Sequence, residues 1–384
     1  MDVSVFLQLL LQDLSISGQG KRPYLIRFTD TGLYQHCIEA LTEASPDPRL
    51  PVELTLQPLI AAFRCYLTPA IYERCKTMNG FLSIEEDARL TMHTAASNPI
   101  SWERGIPWGV RQIKAPQAWS TTTGHRIQIG VIDTGVNYRH PDLSSTLLSG
   151  INLVQRGKPP YDDNGHGTHI AGTIAASNQM YGIIGVAPRA LIHPIKAFDV
   201  NGSAFVSDII SGIDWCVRNK VHIINMSFGL KSHSKSLQKA VINATNAGIT
   251  IVASSGNDAK RKSIDYPARY TQTISVGATD ADHQITPFSN RGSLVDIYAP
   301  GEKIVSSWLK NKYHEMSGTS MATSHVSGTI ALLLALKPGL KPSDIKSLLK
   351  RTAIPTRSHN NRRSIPRKTG EIDVARLLRD LNGS

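Results

Sequence analysis

Three apolar runs constrain the fold more than anything else in this chain: Ile127-Gln128-Ile129-Gly130-Val131-Ile132, Val221-His222-Ile223-Ile224-Asn225-Met226 and Ile249-Thr250-Ile251-Val252-Ala253. Each is short, rich in β-branched residues and apolar at most positions, as strands buried on both faces are. Helical patterns, Ser207 to Asn219 and Ser234 to Ala247, precede the second and third runs. Parallel strands need long crossover connections, so this alternation predicts an α/β fold with helices on both faces of a parallel sheet. Asp133 and Asn257 then fall just past the carboxyl ends of strands, where open α/β sheets bind ligands.

Four segments carry the chemistry, in the order Asp, His, Asn, Ser. They are Val131-Ile132-Asp133-Thr134-Gly135, Asn164-Gly165-His166-Gly167-Thr168-His169-Ile170-Ala171-Gly172, Ser254-Ser255-Gly256-Asn257 and Ser317-Gly318-Thr319-Ser320-Met321-Ala322-Thr323-Ser324-His325. Together they hold the parts of acyl transfer: a carboxylate to orient an imidazole, the imidazole as base, an amide donor for an oxyanion and a hydroxyl nucleophile. Asp133 follows an apolar strand, so it should be buried and in need of a donor, which an imidazole N–H supplies; its alternative role is to cap the turn before Gly135. His166 and His169 stand three apart, as a metal pair on a helix would, but no glutamate sits in a zincin position. His166 reads better as the base, with Gly165 and Gly167 leaving room for substrate and His169 turned into the core. Ser320 opens an apolar helix from about Thr319 to Leu336, where free N–H groups favour negative charge. A simple N-cap is its alternative role.

This set resembles the subtilases, most closely the bacterial subtilisins, whose triad has the chain order Asp, His, Ser. The resemblance runs from about Gly105 to Leu381 and includes Pro107-Trp108-Gly109-Val110, Gly185-Val186-Ala187-Pro188, Ile224-Asn225-Met226-Ser227-Phe228-Gly229 and Ala299-Pro300-Gly301. It implies Asp133, His166 and Ser320 as the triad and Asn257 as an oxyanion donor. Ser227-Phe228-Gly229 and Gly202-Ser203-Ala204 match the family segments that pair with an extended polypeptide as β-strands; Gly202 also reads as an ordinary turn glycine. Ser324 stands where subtilisins usually carry proline. Asp142 and Gln179 match ligands of a structural calcium site, whereas Arg104 falls where the family has a ligating glutamine, and a cation opposes calcium there. Asp265 would lie at the floor of the primary specificity pocket and Asp258 at its rim, favouring Arg or Lys before the scissile bond. Otherwise Asp265 points to solvent and the pocket is apolar.

The chain has 384 residues, 41% hydrophobic and 19% charged, enough for a large domain with an appendage. From Pro23 to about Thr94, a β-α-β-β-α-β pattern predicts a small α+β ferredoxin-like module, similar to the inhibitory propeptide of subtilases. The division expected is an amphipathic leader over 1–22, the module over 23–94, a processing linker over 95–103 and a peptidase domain over 104–384. The start lacks a basic region and a cleavage site, so it does not read as a Sec signal. That leaves cytoplasmic and non-classically exported locations open. No run approaches the roughly 20 apolar residues of a transmembrane helix. The net charge of +12 is scattered, and its densest run, Arg357 to Lys368, lacks aromatic residues, so nucleic acid is not expected as a partner. Cys216 stands alone in the enzyme body, which therefore holds no internal disulfide. The expected partners are polypeptide substrates and the chain's own prodomain. A catalytically silent relative that binds or senses peptides is the rival reading.

Overall fold

The computed structural model describes residues 6–10, 20–44, 54–78, 80–93, 96–98, 105–177, 182–358 and 369–382. The N-terminal module holds β1 (Arg22–Phe28), α1 (Thr31–Ala44), β2 (Thr55–Gln57), β3 (Ala62–Leu67), α2 (Pro69–Lys76) and β4 (Leu82–Glu86). Its strands pair antiparallel in the order β2-β3-β1-β4. Alternate strand residues, Tyr24, Ile26 and Phe28 with Phe63, Cys65 and Leu67, face Tyr34, Cys37 and Leu41 of α1. A helical turn over residues 6–10 belongs to the same core. Phe6, Leu9 and Leu10 are buried there, and Phe6 meets Phe28 edge-on at 5.8 Å. Residues 6–10 of the expected amphipathic leader thus lie in the core, with Phe6, Leu9 and Leu10 on the buried face of the helix.

After the module come β5 (Arg89–Met92), β6 (Ala96–Asn98), α3 (Trp108–Gln112), β7 (Gln128–Asp133), β8 (Ile151–Asn152), α4 (His166–Ala175), β9 (Leu191–Lys196), β10 (Ser203–Phe205) and α5 (Val206–Arg218). Next are β11 (Ile223–Met226), β12 (Phe228–Gly229), α6 (Lys235–Asn246), β13 (Thr250–Ser254), β14 (Ile274–Thr279), β15 (Gln284–Ile285), β16 (Ile297–Pro300), β17 (Ile304–Ser307) and β18 (Tyr313–Ser317). The long helix α7 (Thr319–Leu336) follows, and then α8 (Pro342–Thr352), whose Ile345, Leu348 and Leu349 enter the same core. The heart of the body is the parallel run β16-β14-β13-β11-β7-β9-β8.

Successive strand residues serve opposite faces of this sheet, as the period of two requires. Val131, Ile223 and Val252 join one core with α4 and α7, while Ile132, Ile224 and Ile251 join a second with α5 and α6. Leu25, Ile60 and Ala62 of the module belong to that second core, so apolar packing continues across the junction. Helix α7 is long and apolar enough to cross a membrane, but 89% of it is buried inside the fold, as the core helix of a sheet-and-helix protein is.

Candidate active site

Asp133 ends β7, and His166 begins α4. Both side chains are fully buried, and His166 Nδ1 lies 2.7 Å from Asp133 Oδ1 and 2.9 Å from Oδ2. Thr134 N–H also donates to Asp133 Oδ1 at 2.8 Å. The loop before His166 is fixed by Asp162, whose Oδ1 accepts from the N–H groups of Asn164 and Gly165 and whose Oδ2 accepts from Thr168. Lys196, which sequence reasoning missed, ties the two loops together. Its buried ammonium donates to Thr134 O at 2.7 Å and to Asp163 Oδ1 at 2.6 Å. The glycines beside His166 do not make room for substrate. A Cβ on Gly167 would lie 2.1 Å from Gly135 O, and one on Gly165 would lie 2.4 Å from the Trp308 ring. They are small because the protein itself closes against them. His169 turns inward, with Nε2 2.9 Å from Ile304 O, and burial pushes its pKa down to about 3, so it stays neutral.

Ser320 lies in the first turn of α7. Its Oγ is 2.8 Å from the carbonyl oxygen of His93 and 2.9 Å from that of Ser227. A buried network supports the turn: Ser327 donates to Asn225, Asn225 to Ser227, and Ser227 to Ser320 O. Ser324 Oγ also donates to Ser320 O, at 3.1 Å. Asn257 Oδ1 accepts from Thr319 N–H at 3.0 Å and from Thr319 Oγ at 2.8 Å, which orients the amide. Its Nδ2 is then left buried with no partner. A Cβ on Gly318 would lie 3.1 Å from that Nδ2 and 2.8 Å from His93 O, so only glycine keeps this small space open. His166 Nε2 is likewise buried without a partner. An unpaired buried donor beside a carbonyl is costly in the resting protein and suited to charge that appears later.

The segment leaving the module runs across these residues. β5 lies between β10 and β12 and pairs antiparallel with both: Thr91 opposes Ser203 and Gly229, and Met92 opposes Phe228. Gly202 serves turn and close contact at once, with φ +72° and room only for Met92 Cε, which a Cβ would approach to 2.8 Å. Past Ser320, β6 pairs antiparallel with β18, with Ala96 opposite Ser317. The expected linker therefore contains a strand, because the edge of β18 offers it hydrogen bonds. Two module carboxylates reach helix starts in the body. Glu85 accepts from Ser234 Oγ and from the N–H groups of Lys235 and Ser236 at α6; Asp87 accepts from the N–H and Oγ of Ser207 at α5. Nothing in their sequence spacing announced these contacts.

Asp265 is buried and faces the same cleft. Its Oδ2 lies 2.8 Å from His93 Nε2 and accepts from Lys231 Nζ at 2.7 Å. Burial raises the Asp265 pKa, but hydrogen bonds from His93 and Lys231 outweigh it and hold the carboxyl below its ordinary range. Lys231 also pairs with Asp258, whose carboxyl that hydrogen bond holds low. Lys231 is the cation that sequence reasoning overlooked, because only the fold brings it to residues 27 and 34 positions on.

Asp142 lies apart from this cleft. Its Oδ2 accepts from Ile183 N–H at 2.9 Å and from the Tyr313 hydroxyl at 2.8 Å, and its Oδ1 is buried without a partner. That orphaned oxygen fits a cation ligand, although the described residues hold no cluster of three metal-binding side chains. Gln179 and Arg104 lie outside the described residues.

The structure thus holds a buried carboxylate–imidazole pair at the end of β7 and a serine in the first turn of α7, the residue types of a serine hydrolase. Comparison with known proteins narrows the class. The subtilase family model matches residues 124–373. An alkaline protease from Alkalihalobacillus alcalophilus is 35% identical over 354 residues, 90% of each chain. Subtilisin Savinase from Lederbergia lenta is 41% identical over 258 residues, covering 67% of this chain and 94% of that protein. Subtilisin E from Bacillus subtilis (strain 168) is 40% identical over 257 residues, 66% of this chain and 67% of its own. The chain belongs to the subtilase family of serine peptidases, subtilisin-type endopeptidases that act on polypeptides without a catalytic metal.

Proposed function

We propose that the chain is the self-processing precursor of a serine endopeptidase, with residues up to His93 acting as its inhibitor and its first substrate. The observation that carries this reading is the path of β5, which ends with the His93 carbonyl 2.8 Å from Ser320 Oγ. Gly202, Ser203 and Ala204 on one side and Ser227, Phe228 and Gly229 on the other would hold any extended polypeptide as they hold this one. Main-chain pairing accepts varied sequences, which suits a general peptidase.

In the reaction, the Ser320 hydroxyl turns from the carbonyls it now contacts and passes its proton to His166 Nε2, the nitrogen left unpartnered. Asp133 holds the imidazole by Nδ1 and steadies the imidazolium. Attack on the carbonyl carbon creates an oxyanion, met by Asn257 Nδ2 and the Ser320 N–H. The imidazolium then protonates the departing amine, and water repeats the sequence on the acyl-enzyme. Asp265, which meets the His93 ring, favours a side chain before the scissile bond that can donate a hydrogen bond to it. A structural calcium ion would use Asp142 Oδ1, screening the charge of that buried carboxylate.

The bond cut would be His93–Thr94, just ahead of the expected linker over 95–103. Ser320→Ala should accumulate as full-length chain, whereas the unsubstituted protein yields a mature form beginning at Thr94 that a fluorophosphonate labels on Ser320. Normal maturation of Ser320→Ala expressed alone would sink self-processing. Absence of labelling after the module is removed would favour a silent peptide binder.

A further inference from the structure

We propose that the primary specificity pocket selects histidine before the scissile bond, and that Lys231 is the specificity-determining residue that keeps lysine and arginine out. The inference rests on the peptidase reading above and narrows its preference for a side chain that donates a hydrogen bond. The His93 ring is 7% exposed and uses both nitrogens: Nδ1 lies 2.8 Å from Ser254 Oγ, and Nε2 lies 2.8 Å from Asp265 Oδ2. Asp265 accepts from Nε2–H in either charge state of the ring. Ser254 can donate to a neutral Nδ1 or accept from a protonated one, turning its own hydroxyl toward Phe228 O. The site therefore satisfies neutral and cationic imidazole alike.

The walls match a flat ring. A Cβ on Gly229 would sit 2.2 Å from His93 Cε1 and Nε2, so the ring packs directly on that backbone. Depth matches too, because the outer nitrogen of the imidazole already touches the floor carboxylate. Lysine and arginine side chains are longer and would have to bend or displace what lies there. What lies there is a cation: Lys231 Nζ sits 2.7 Å from the same Asp265 oxygen and also pairs with Asp258, which has Lys260 at 3.7 Å. Two carboxylates thus face two ammonium groups, and the pocket offers no surplus negative charge to a further cation. An imidazole needs none, since even its neutral form can donate Nε2–H to Asp265. Phenylalanine or leucine would fill the space but forfeit both ring hydrogen bonds, leaving Asp265 Oδ2 with Lys231 alone and Ser254 with only the 3.5 Å contact to Phe228 O, a mismatch that a site built for hydrogen bonds rejects.

The test compares kcat/KM for fluorogenic peptides that differ only at the residue before the scissile bond (His, Arg, Lys, Phe, Leu), with active enzyme counted by fluorophosphonate labelling. The mature protein should favour His over each of the others at least tenfold. In Lys231→Ala the Arg/His ratio should rise at least tenfold, because Asp265 and Asp258 lose their internal cation. In Asp265→Asn the His/Phe ratio should fall at least tenfold. In the precursor, His93→Leu should slow self-cleavage by a similar factor. Labelled, active enzyme that prefers Phe or Leu, or a Lys231→Ala profile matching the unsubstituted one, overturns the proposal and leaves the peptidase reading standing. Failure of Ser320 to label removes both.

Discussion

Glu85 tests how the module grips the body. It is half-buried and accepts three hydrogen bonds at the start of α6: from Ser234 Oγ at 2.8 Å, Ser236 N–H at 3.0 Å and Lys235 N–H at 3.1 Å. Ser234 itself caps Leu237 N–H, so Glu85 supplies what the helix start still lacks. Glu85→Ala leaves those groups to water and removes a charge from the positive end of the helix dipole. Truncating one side of a hydrogen-bonded charge contact costs about 2–5 kcal/mol in binding, and partial exposure places Glu85 at about 2–4 kcal/mol. At about 1.4 kcal/mol per tenfold, that is about a 30- to 700-fold rise in Ki. The assay adds the separate module, residues 1–93, with and without the substitution, to mature enzyme and measures inhibition. The hydrogen bonds of the Glu85 carboxylate go to the body, and its backbone pairing with β1 survives the substitution, so the module's own melting temperature should stay the same. A Ki change under threefold with unchanged melting would refute the capping argument.

Asn257→Ala should lower kcat by about 10²–10³ with little change in KM, the loss that removal of one oxyanion-hole donor causes. Chelation by EDTA should lower the melting temperature of the mature protein by about 5–10 °C, the effect of losing an ion held at 100 times its Kd; Asp142→Asn should abolish that difference, and an EDTA-insensitive melt would exclude the site. Burial lowers the pKa of His169 to about 3 and of His325 to about 4, below the unfolded value of 6.5. The stability they leave intact above pH 6.5 is therefore lost as pH falls toward those values, by about 1.4 kcal/mol per pH unit for each. Urea unfolding between pH 6.5 and 5 should show this loss, and His325→Asn should have a shallower slope; equal slopes would refute the assignment.

The sheet was legible because a strand buried on both faces has little choice of residue, so Ile127 to Ile132 could only be read one way. The same pressure exposed Asp133: a carboxylate at the end of such a run needs a donor, and His166 Nδ1 provides it. Contacts that depend on where one surface meets another left no such mark. His93 finds Ser254 and Asp265 across 161 and 172 residues. Its neighbours Met92 and Thr94 gave no reason to prefer it over any other residue of a small polar segment. Glu85 and Asp87 take their meaning only from the N–H groups that the starts of α6 and α5 present to them. Gly165 and Gly167 were misread for a related reason: a sequence states that a side chain is missing, not what fills the space. Here Trp308 and the Gly135 carbonyl fill it, and that packing holds the imidazole in place. Local chemistry was therefore visible where burial forces a residue type, and invisible where only the docked module decides what a residue meets. The same division explains Lys231, an ordinary solvent-facing lysine by sequence, whose meaning comes from the two carboxylates that the fold sets beside it.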